Sequence, residues 1–359
     1  MSFKFILEKL LYPIKRKLNI GRRHPHIGIG KVENEFSGPL IEPVVWSDAK
    51  YQKIFNEIVE KLRSQESCAV FTGAGISAGL YSLWSEVVTK LSEKLAIPLS
   101  KISSEMSGTE ILDFMQNCYD KDSNVFYSSL RDIFNPSARD NYRPIHRYVL
   151  ETPFSNTITT NIDPCFINYL KEKSYEDLEH KTQVFCYPCA LQVTTLEQRN
   201  IYHIHGIYID ENGEDRIKDA LLTKQQIDVA YKNDGNLHRF LRSVFSEIDI
   251  LFVGFSMRDP TIKDIIAISN KELDETYKMS PLKNDISRYM FVPEEYLNEI
   301  KPDGTKERKR NIRLENEQEN FCRENRIQII RYSMKEENFK QIENIMKNIY
   351  TLTRIKYDL

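Results

Sequence analysis

The fold is decided by one stretch of sequence, Cys68-Ala69-Val70-Phe71-Thr72-Gly73-Ala74-Gly75-Ile76-Ser77. Its first half is a continuous apolar run, which is typical of a strand buried on both faces of a sheet. The glycines at 73 and 75 break this run, and we expect a helix to begin near Ser77.

Further apolar runs predict more strands along the chain, at 156–160, 183–187, 201–205, 249–253, 289–292 and 326–330. Helical stretches lie between most of these runs. Alternation of this kind predicts an α/β fold, with a Rossmann-like parallel sheet flanked by helices.

The helical signals define how the rest of the chain is organised. Ser47 or Asp48 can cap a helix that runs to about Gln65, and a closing helix is predicted at about 336–350. Residues 80–150 have little strand signal and several apolar stripes at helical spacing, which predicts a helical insertion after the first strand–helix unit. The charged stretch 301–310 contains Pro and Gly and is interpreted as a surface loop.

Residues 1–47 differ from the remainder, because an apolar stripe at helical spacing alternates there with many lysines and arginines. We interpret them as a basic N-terminal arm, followed by one folded domain over 48–359. The stripe can dock on this domain or on a neighbouring subunit. Alternatively, the arm can touch an acidic partner or a membrane surface.

Composition narrows the class of protein. The chain has 359 residues, 41% of them hydrophobic and 28% charged, which is ordinary for a globular protein. Its net charge of -2 argues against a protein that coats nucleic acid. Six cysteines suggest no disulfide framework. No apolar run reaches the roughly 18 residues that span a bilayer, and Glu8 and Lys9 interrupt the only signal-like segment, so we expect a cytoplasmic protein.

The glycine turn is the first candidate site. Gly73-Ala74-Gly75-Ile76-Ser77-Ala78 satisfies the loose pattern GxGxx(G/A), in which glycines permit a tight turn and close approach of a pyrophosphate to a helix N-terminus. Glycines also end strands for purely structural reasons. A dehydrogenase would need an acidic residue ending a second strand about 20 residues further on, and Glu93 lies instead in a helical stretch.

The second candidate is Thr159-Thr160-Asn161-Ile162-Asp163, which closes a predicted strand. Polar residues at strand carboxyl ends face the ligand crevice of doubly wound sheets. Asn161 and Asp163 alternate with Ile162, so both side chains could point towards one site. An Asx turn, followed by a helix that starts near Pro164, explains the same residues without a ligand.

The third candidate is His203-Ile204-His205-Gly206, at the end of another strand. His203 and His205 could form a metal pair, but no third ligand is evident, and a histidine before glycine suits acid–base chemistry better. A histidine hydrogen-bonded within the core is the structural alternative. Cys186 and Cys189 form a single CxxC without a second pair, so we expect no metal.

The fourth candidate is the stretch Val253-Gly254-Phe255-Ser256-Met257-Arg258-Asp259-Pro260. Its small residues, free main-chain N–H groups and hydroxyl could meet a phosphate or a ribose. A helix capped by Asp259, with Pro260 at its first position, is the compatible structural interpretation.

In this order and spacing, the four motifs resemble the sirtuin (silent information regulator) superfamily over about 68–260. Sirtuins carry GAGxS, a T-x-N-x-D run, a catalytic His before Gly, and a Gly-x-Ser strand end. The matching positions of this chain are Gly73, Ala74, Gly75, Ser77, Asn161, Asp163, His205, Gly254 and Ser256. The resemblance implies a Rossmann-like NAD domain with the nicotinamide ribose near Asn161 and His205.

The chain also departs from the protein-deacylating sirtuins. Residues 79–84 read Gly-Leu-Tyr-Ser-Leu-Trp where those proteins have Gly-Ile-Pro-Asp-Phe-Arg, and only Cys186 and Cys189 stand where they have a four-cysteine zinc module. Both differences argue against acetyl-lysine chemistry. The helical stretch and the 254–260 motif look more like the sirtuin-like effectors of bacterial anti-phage systems. Those proteins degrade NAD, and several work with a HerA-type ATPase.

The resemblance therefore implies an NAD⁺ hydrolase, with NAD as substrate. Asn161 would position the ribose or the attacking water, His205 would act as general base, and Asp163 would anchor the carboxamide. The pyrophosphate and the adenosine ribose would be held by Gly73, Ala74, Gly75, Ser77, Thr160, Gly254 and Ser256.

The same residues are compatible with two other functions, and the resemblance also suggests partners. The alternatives are an NAD-dependent protein deacylase and a sensor that binds NAD or ADP-ribose without turnover. As partners we expect a second copy of the chain and a HerA-type ATPase or another defence protein. We expect neither sequence-specific nucleic-acid binding nor a membrane.

Overall fold

The computed structural model describes residues 46, 48–64, 66–99, 103–135, 141–173, 182–188, 199–232, 235–279, 286–294, 296–300, 306–333 and 340–354. The predicted N-terminal arm, except for Trp46, lies outside these residues, and so does Cys189. In the part of the chain that is described, every helix is too short or too polar to cross a membrane.

Strands and helices alternate as the apolar runs predicted. The strands are β1 Cys68–Thr72, β2 Asn156–Thr159, β3 Val184–Cys186, β4 Asn200–His203, β5 Asp249–Val253, β6 Arg288–Pro293, β7 Tyr296–Ile300, β8 Lys306–Arg310 and β9 Ile327–Tyr332. The helices are α1 Ala49–Arg63, α2 Trp84–Leu95, α3 Gly108–Lys121, α4 Ser123–Phe134, α5 Pro144–Glu151, α6 Cys165–Glu172, α7 Lys224–Ala230, α8 Asn236–Glu247, α9 Pro260–Met279, α10 Ile312–Glu324 and α11 Lys340–Arg354.

Seven of the strands form one sheet in the order β3–β4–β2–β1–β5–β6–β9, and every neighbouring pair is parallel. Helices flank this sheet, so the predicted Rossmann-like α/β fold is confirmed. Strands β7 and β8 pair as an antiparallel hairpin. The predicted loop over 301–310 is therefore wrong for 306–310, because the charged residues of β8 pair with β7.

The strand order reverses at β1, the middle of the sheet. From β1 the chain first builds β2 on one side, and it later returns to place β5 on the other side, where Thr72 pairs with Val253. In doubly wound sheets, ligands bind outside the carboxyl ends of the strands at such a switch point. The topology therefore points to the chain segments that follow β1 and β5.

Strand β1 is buried on both faces, as its apolar run predicted. Ala69 and Phe71 belong to a core with α8 and α9, whereas Cys68 and Val70 belong to the opposite core with α1 and α11. Burial of this kind needs apolar side chains at consecutive positions and not at alternate ones. The two cores fix the plane of the sheet and hence the position of the turn that follows β1.

Helix α1 begins where its cap was predicted. The Asp48 carboxylate accepts a hydrogen bond from the Lys50 N–H at 2.8 Å, which satisfies one of the free donors of the first turn. Tyr51, Phe55 and Ile58 lie on its buried face. Helices α2, α3 and α4 form the predicted insertion and pack around a third core, which includes Leu91, Met115 and Phe126.

The segment after the glycine turn differs from the prediction. Residues Ala74–Ile76 form a single 3₁₀ turn, and the next helix begins only at Trp84. The Gly75 N–H donates to Gly254 O at 2.9 Å, which ties the turn to the neighbouring strand end and not to a following helix. The predicted helix at Ser77, and with it a helix N-terminus beneath a pyrophosphate, is therefore wrong.

Candidate functional site

Two glycine turns interlock at the carboxyl ends of β1 and β5. The Gly73 N–H donates to Val253 O at 3.2 Å, so the pairing of the strands continues into the turns. Gly254 has φ +64°, and a Cβ atom there would lie 2.6 Å from the main-chain nitrogen of Ile76. A Cβ on Gly75 would lie 2.9 Å from Gly254 O. Only glycines allow this approach of two main chains.

A cavity of about 350 Å³ opens above the interlocked turns. Its volume is within the usual range for ligand pockets, which is about 300–1,000 Å³. Its lining includes Gly73–Gly75 and Gly254–Ser256, Ile111, Leu112 and Met115 of the insertion, Leu221, Leu222 and Ile227 opposite, and Pro293, Glu294 and Tyr332 at the strand ends. The cavity thus has a polar main-chain floor and apolar side walls.

The insertion is docked against the second glycine turn. Gly108, the first residue of α3, lies so close to Arg258 O that a Cβ atom would overlap it at 2.0 Å. The Arg258 guanidinium donates to Ser104 O at 3.1 Å. The wall that α3 provides is therefore attached to the same motif that supplies the floor.

His205 lies on the wall of the cavity, where β4 ends. Its Nε2 is 2.8 Å from the Tyr231 hydroxyl and 4.0 Å from an Asp259 carboxylate oxygen. Burial lowers the pKa of His205, and the negative charge of Asp259 opposes that shift. Gly206, with φ +80°, turns the chain away directly after it. The ring is therefore neutral near pH 7 and held on one edge.

Thr160, Gly254 and Ser256, for which ligand contacts are a prediction, also line the cavity. Asp259 lines it too, while its carboxylate accepts the N–H groups of Thr261 and Ile262 at 2.9 and 3.1 Å. The helix cap predicted for Asp259 is thus confirmed, and the same residue reaches the cavity.

Asn161 lies behind the cavity wall and braces the glycine turn. Its amide nitrogen donates to Gly73 O and to Ser77 Oγ, each at 3.2 Å, and its side chain is buried. Both amide hydrogens are used in this way. Among the described residues, nothing hydrogen-bonds to Oδ1, so this oxygen is the atom left for a ligand.

His146, which the sequence motifs did not include, supports Ser77 from α5. Its Nε2 is 3.1 Å from Ser77 Oγ, and its Nδ1 is 3.1 Å from Arg143 O. The Arg143 N–H donates to Nδ1 at 3.1 Å, so the ring proton lies on Nε2, and this N–H donates to Ser77 Oγ, which also accepts from Asn161. Burial lowers the pKa of His146 to about 4. No sequence signal marks this residue, because it lies in a helix far from the motifs.

Asp163 is buried beside His146 and does not line the cavity. Its carboxylate accepts the Cys165 N–H at 3.1 Å and so begins α6, as the alternative Asx-turn interpretation predicted. The ligand atoms of His146, Asp163 and Cys165 lie within 4.8 Å of one another, so this group could hold a metal ion. Burial, however, raises the pKa of the Cys165 thiol well above its usual value, which disfavours the thiolate that metals prefer.

His203 has a structural position. It is fully buried, and its Nδ1 donates to Asn161 O at 3.0 Å. His205 instead contacts Tyr231, so the two rings bond to different elements. Thus His205, Thr160, Gly254 and Ser256 come together with the first glycine turn at the cavity, whereas Asn161, Asp163 and Ser77 lie in the layer directly behind it.

One comparison with known protein families covers most of the motifs. A family model described as SIR2-like domain matches residues 155–330, which include Asn161, Asp163, His205, Gly254 and Ser256 but not the first glycine turn. One similar solved structure is a Sir2 with a deacetylated p53 peptide and 3'-O-acetyl ADP ribose. It has 10% sequence identity and a TM-score of 0.38, over 82% of this chain and 98% of that chain. A search of curated proteins found no match.

Proposed function

We propose that this chain, whose residues 155–330 carry a SIR2-like domain, binds NAD in the cavity and hydrolyses its nicotinamide–ribose bond. One observation carries the proposal: a buried neutral histidine, His205, faces a cavity whose floor is two interlocked glycine turns at the switch point of the sheet. The floor suits a pyrophosphate and the histidine suits proton transfer.

The adenosine diphosphate part of NAD would occupy the described cavity. Main chain at Gly73–Gly75 and Gly254 allows phosphate oxygens to approach closely, and Thr160 and Ser256 offer hydroxyl groups. Glu294 follows β6 at the cavity rim and can accept hydrogen bonds from ribose hydroxyls. The apolar walls would then contact the adenine ring.

The nicotinamide end would reach past Thr160 into the layer behind it. Asn161 Oδ1 would position the ribose or the attacking water, and Asp163 would anchor the carboxamide, with Ser77 holding Asn161 in place. Nicotinamide leaves as a neutral molecule from a cationic pyridinium, so its departure needs no general acid. The site must instead stabilise an oxocarbenium-like transition state and activate one water molecule. His205 would activate this water as the general base.

Incubation of the purified chain with NAD, followed by chromatography of the products, tests this proposal. Free nicotinamide and ADP-ribose are expected, and their release should be lost in His205→Ala and kept in Gly213→Ser, an open turn position with nothing within 4 Å. If NAD is consumed only with an acyl-lysine peptide, the chain is a deacylase. If NAD binds and is never cut, even with partner and trigger present, the chain is a sensor and the hydrolase proposal fails.

The biological setting belongs to the same proposal. We propose that the enzyme depletes NAD in the bacterial cytoplasm after phage infection, as a homo-oligomer and with a HerA-type ATPase or another defence protein. The test compares cells that carry the intact gene with cells that carry His205→Ala. Intact cells should lose NAD on infection and release fewer phage. Equal NAD levels in both would contradict the role in defence.

A further inference from the structure

Tyr231 and Asp259 converge on His205, the histidine that lines the cavity among the described residues. Tyr231 follows α7 and Asp259 precedes α9, so two different elements place their side chains on the same ring edge of His205. The Tyr231 hydroxyl is 2.8 Å from Nε2, and the nearest Asp259 oxygen is 4.0 Å from it. The Tyr231 ring also meets the imidazole edge-on, at 5.9 Å between centroids and 87°.

We propose that Tyr231 and Asp259 are positioning residues that orient His205 and stabilise the imidazolium formed when it takes a proton. We call the three residues the His205 relay. The proposal rests on the hydrolase function proposed above. It adds Tyr231, which lies outside the motifs, and gives Asp259 of the fourth motif a role beyond capping a helix. Asp259 would act on His205 through charge, and Tyr231 through its hydroxyl.

The hydrogen bonds of the relay determine which ring nitrogen of His205 accepts the proton from water. Burial raises the pKa of Tyr231 well above its usual value, so the phenol keeps its proton. In the proposed relay Nε2–H donates to the Tyr231 oxygen, and this tautomer places the lone pair on Nδ1. Within the described part of the chain nothing bonds to Nδ1, and His205 lines the cavity. Nδ1 is therefore the atom that meets the attacking water.

The hydrolytic step transfers one proton from water to His205. A water oxygen forms a bond to the ribose carbon while the bond to the nicotinamide nitrogen breaks, and its electron pair goes to the pyridine ring. The water proton passes to Nδ1, which makes His205 cationic. Asp259 supplies the negative charge that offsets this cation, while Tyr231 accepts the Nε2–H and prevents the ring from rotating.

Among the described residues around His205, few titratable groups could take over the roles of Tyr231 and Asp259. Of the residues that the structure describes, Tyr231 and Asp259 are the titratable groups that act on it from the elements packed around it, and Asp259 is the charged one. Tyr187 acts on Tyr231 and not on the histidine. A charge of opposite sign at this distance raises a histidine pKa by about one unit or more.

Two variants separate the two roles. Asp259→Asn removes the charge and keeps a good helix cap, because Asn is as favourable as Asp at that position. Tyr231→Phe removes only the hydroxyl and keeps the ring contact. Tyr289→Phe is the matched control, since Tyr289 is also fully buried and its hydroxyl donates to Glu57, on an element that does not touch His205.

The experiment combines NMR titration of labelled histidines with pH–rate profiles of nicotinamide release. In Asp259→Asn the His205 resonance should titrate about one pH unit lower than in the wild type, and the acid limb of the rate profile should move with it. In Tyr231→Phe we expect kcat to fall roughly tenfold or more with little change in KM. Tyr289→Phe should leave both quantities unchanged.

The outcomes distinguish this inference from the proposed function. An unchanged His205 titration in Asp259→Asn, or a kcat for Tyr231→Phe equal to that of Tyr289→Phe, would overturn the relay while the hydrolase could stand. If the wild-type chain released no nicotinamide, the hydrolase proposal would fail. The NMR titration would still show whether Asp259 acts on His205.

Discussion

The buried pair of Ser77 and His146 makes the stability of the fold depend on pH. His146 has its pKa lowered from 6.5 to about 4 in the folded chain. Between these values the unfolded chain binds a proton that the folded chain excludes. The free energy of unfolding therefore falls as the pH falls through this window. Stability that His146 contributes is present above about pH 6.5 and is lost towards pH 4.

The two pKa values set the size of the effect. Moving from pH 7.5 to pH 5.0 should cost about 2 kcal/mol from this histidine alone. His203 and His205 are also buried with lowered pKa, so they add losses of the same sign. A variant that lacks only His146 isolates its share, because the other two histidines remain in both proteins.

The measurement is urea unfolding at pH 7.5 and 5.0, followed by tryptophan fluorescence, for the wild type and His146→Gln. The Gln amide N–H can still donate to Ser77 Oγ, but Gln does not titrate. The variant should lose about 2 kcal/mol less than the wild type between the two pH values. Ile342→Val, a core change in α11, should lower stability equally at both. Equal losses in wild type and His146→Gln would refute the reasoning.

Three other predictions follow from the site and the arm. Gly254→Ala should destabilise by about 3 kcal/mol, because its Cβ would meet a main-chain nitrogen at 2.6 Å in addition to its φ of +64°, and it should abolish NAD binding. Gly213→Ala, with φ +82° in open space, should cost only about 1 kcal/mol in the same urea titration. Equal costs would contradict the interlocked turns. Asn161→Ala and His205→Ala should each remove nicotinamide release with cooperative unfolding retained, and activity surviving in both would overturn the assignment. Deleting residues 1–30 should lower the number of chains in the assembly, measured as its mass in solution by light scattering. An unchanged number of chains would count against a role of the arm in assembly.

The sheet could be predicted from sequence because its signal is local. Most strands of the large sheet contain apolar runs, although β2 reads Asn-Thr-Ile-Thr, and Cys68–Thr72 needs no distant residue to be recognised as doubly buried. The hairpin of β7 and β8 was missed, because Lys306–Arg310 is charged and carries no apolar pattern. Charge and pairing are compatible in a strand whose partner is another short strand.

The site could be predicted only in part, because its contacts join distant segments. The motifs identified His205 and the glycines, since strand ends and turns have a local pattern. They did not indicate that Gly75 bonds to Gly254, which replaces the helix expected at Ser77. Residues that support others, such as His146 in α5 and Tyr231 directly after α7, lie in or beside ordinary helical sequence. Their roles depend on three-dimensional neighbours that no spacing rule contains.

Because β1 pairs with β5, the cavity can form only late in the synthesis of the chain. During synthesis, the first glycine turn emerges well before its partner at Gly254, and the cavity also needs Tyr332 at the end of β9. A nascent chain therefore carries half of the floor and no closed cavity until most of its residues have been translated. For a protein proposed to destroy a central metabolite, this order of assembly keeps unfinished copies harmless to the cell that makes them.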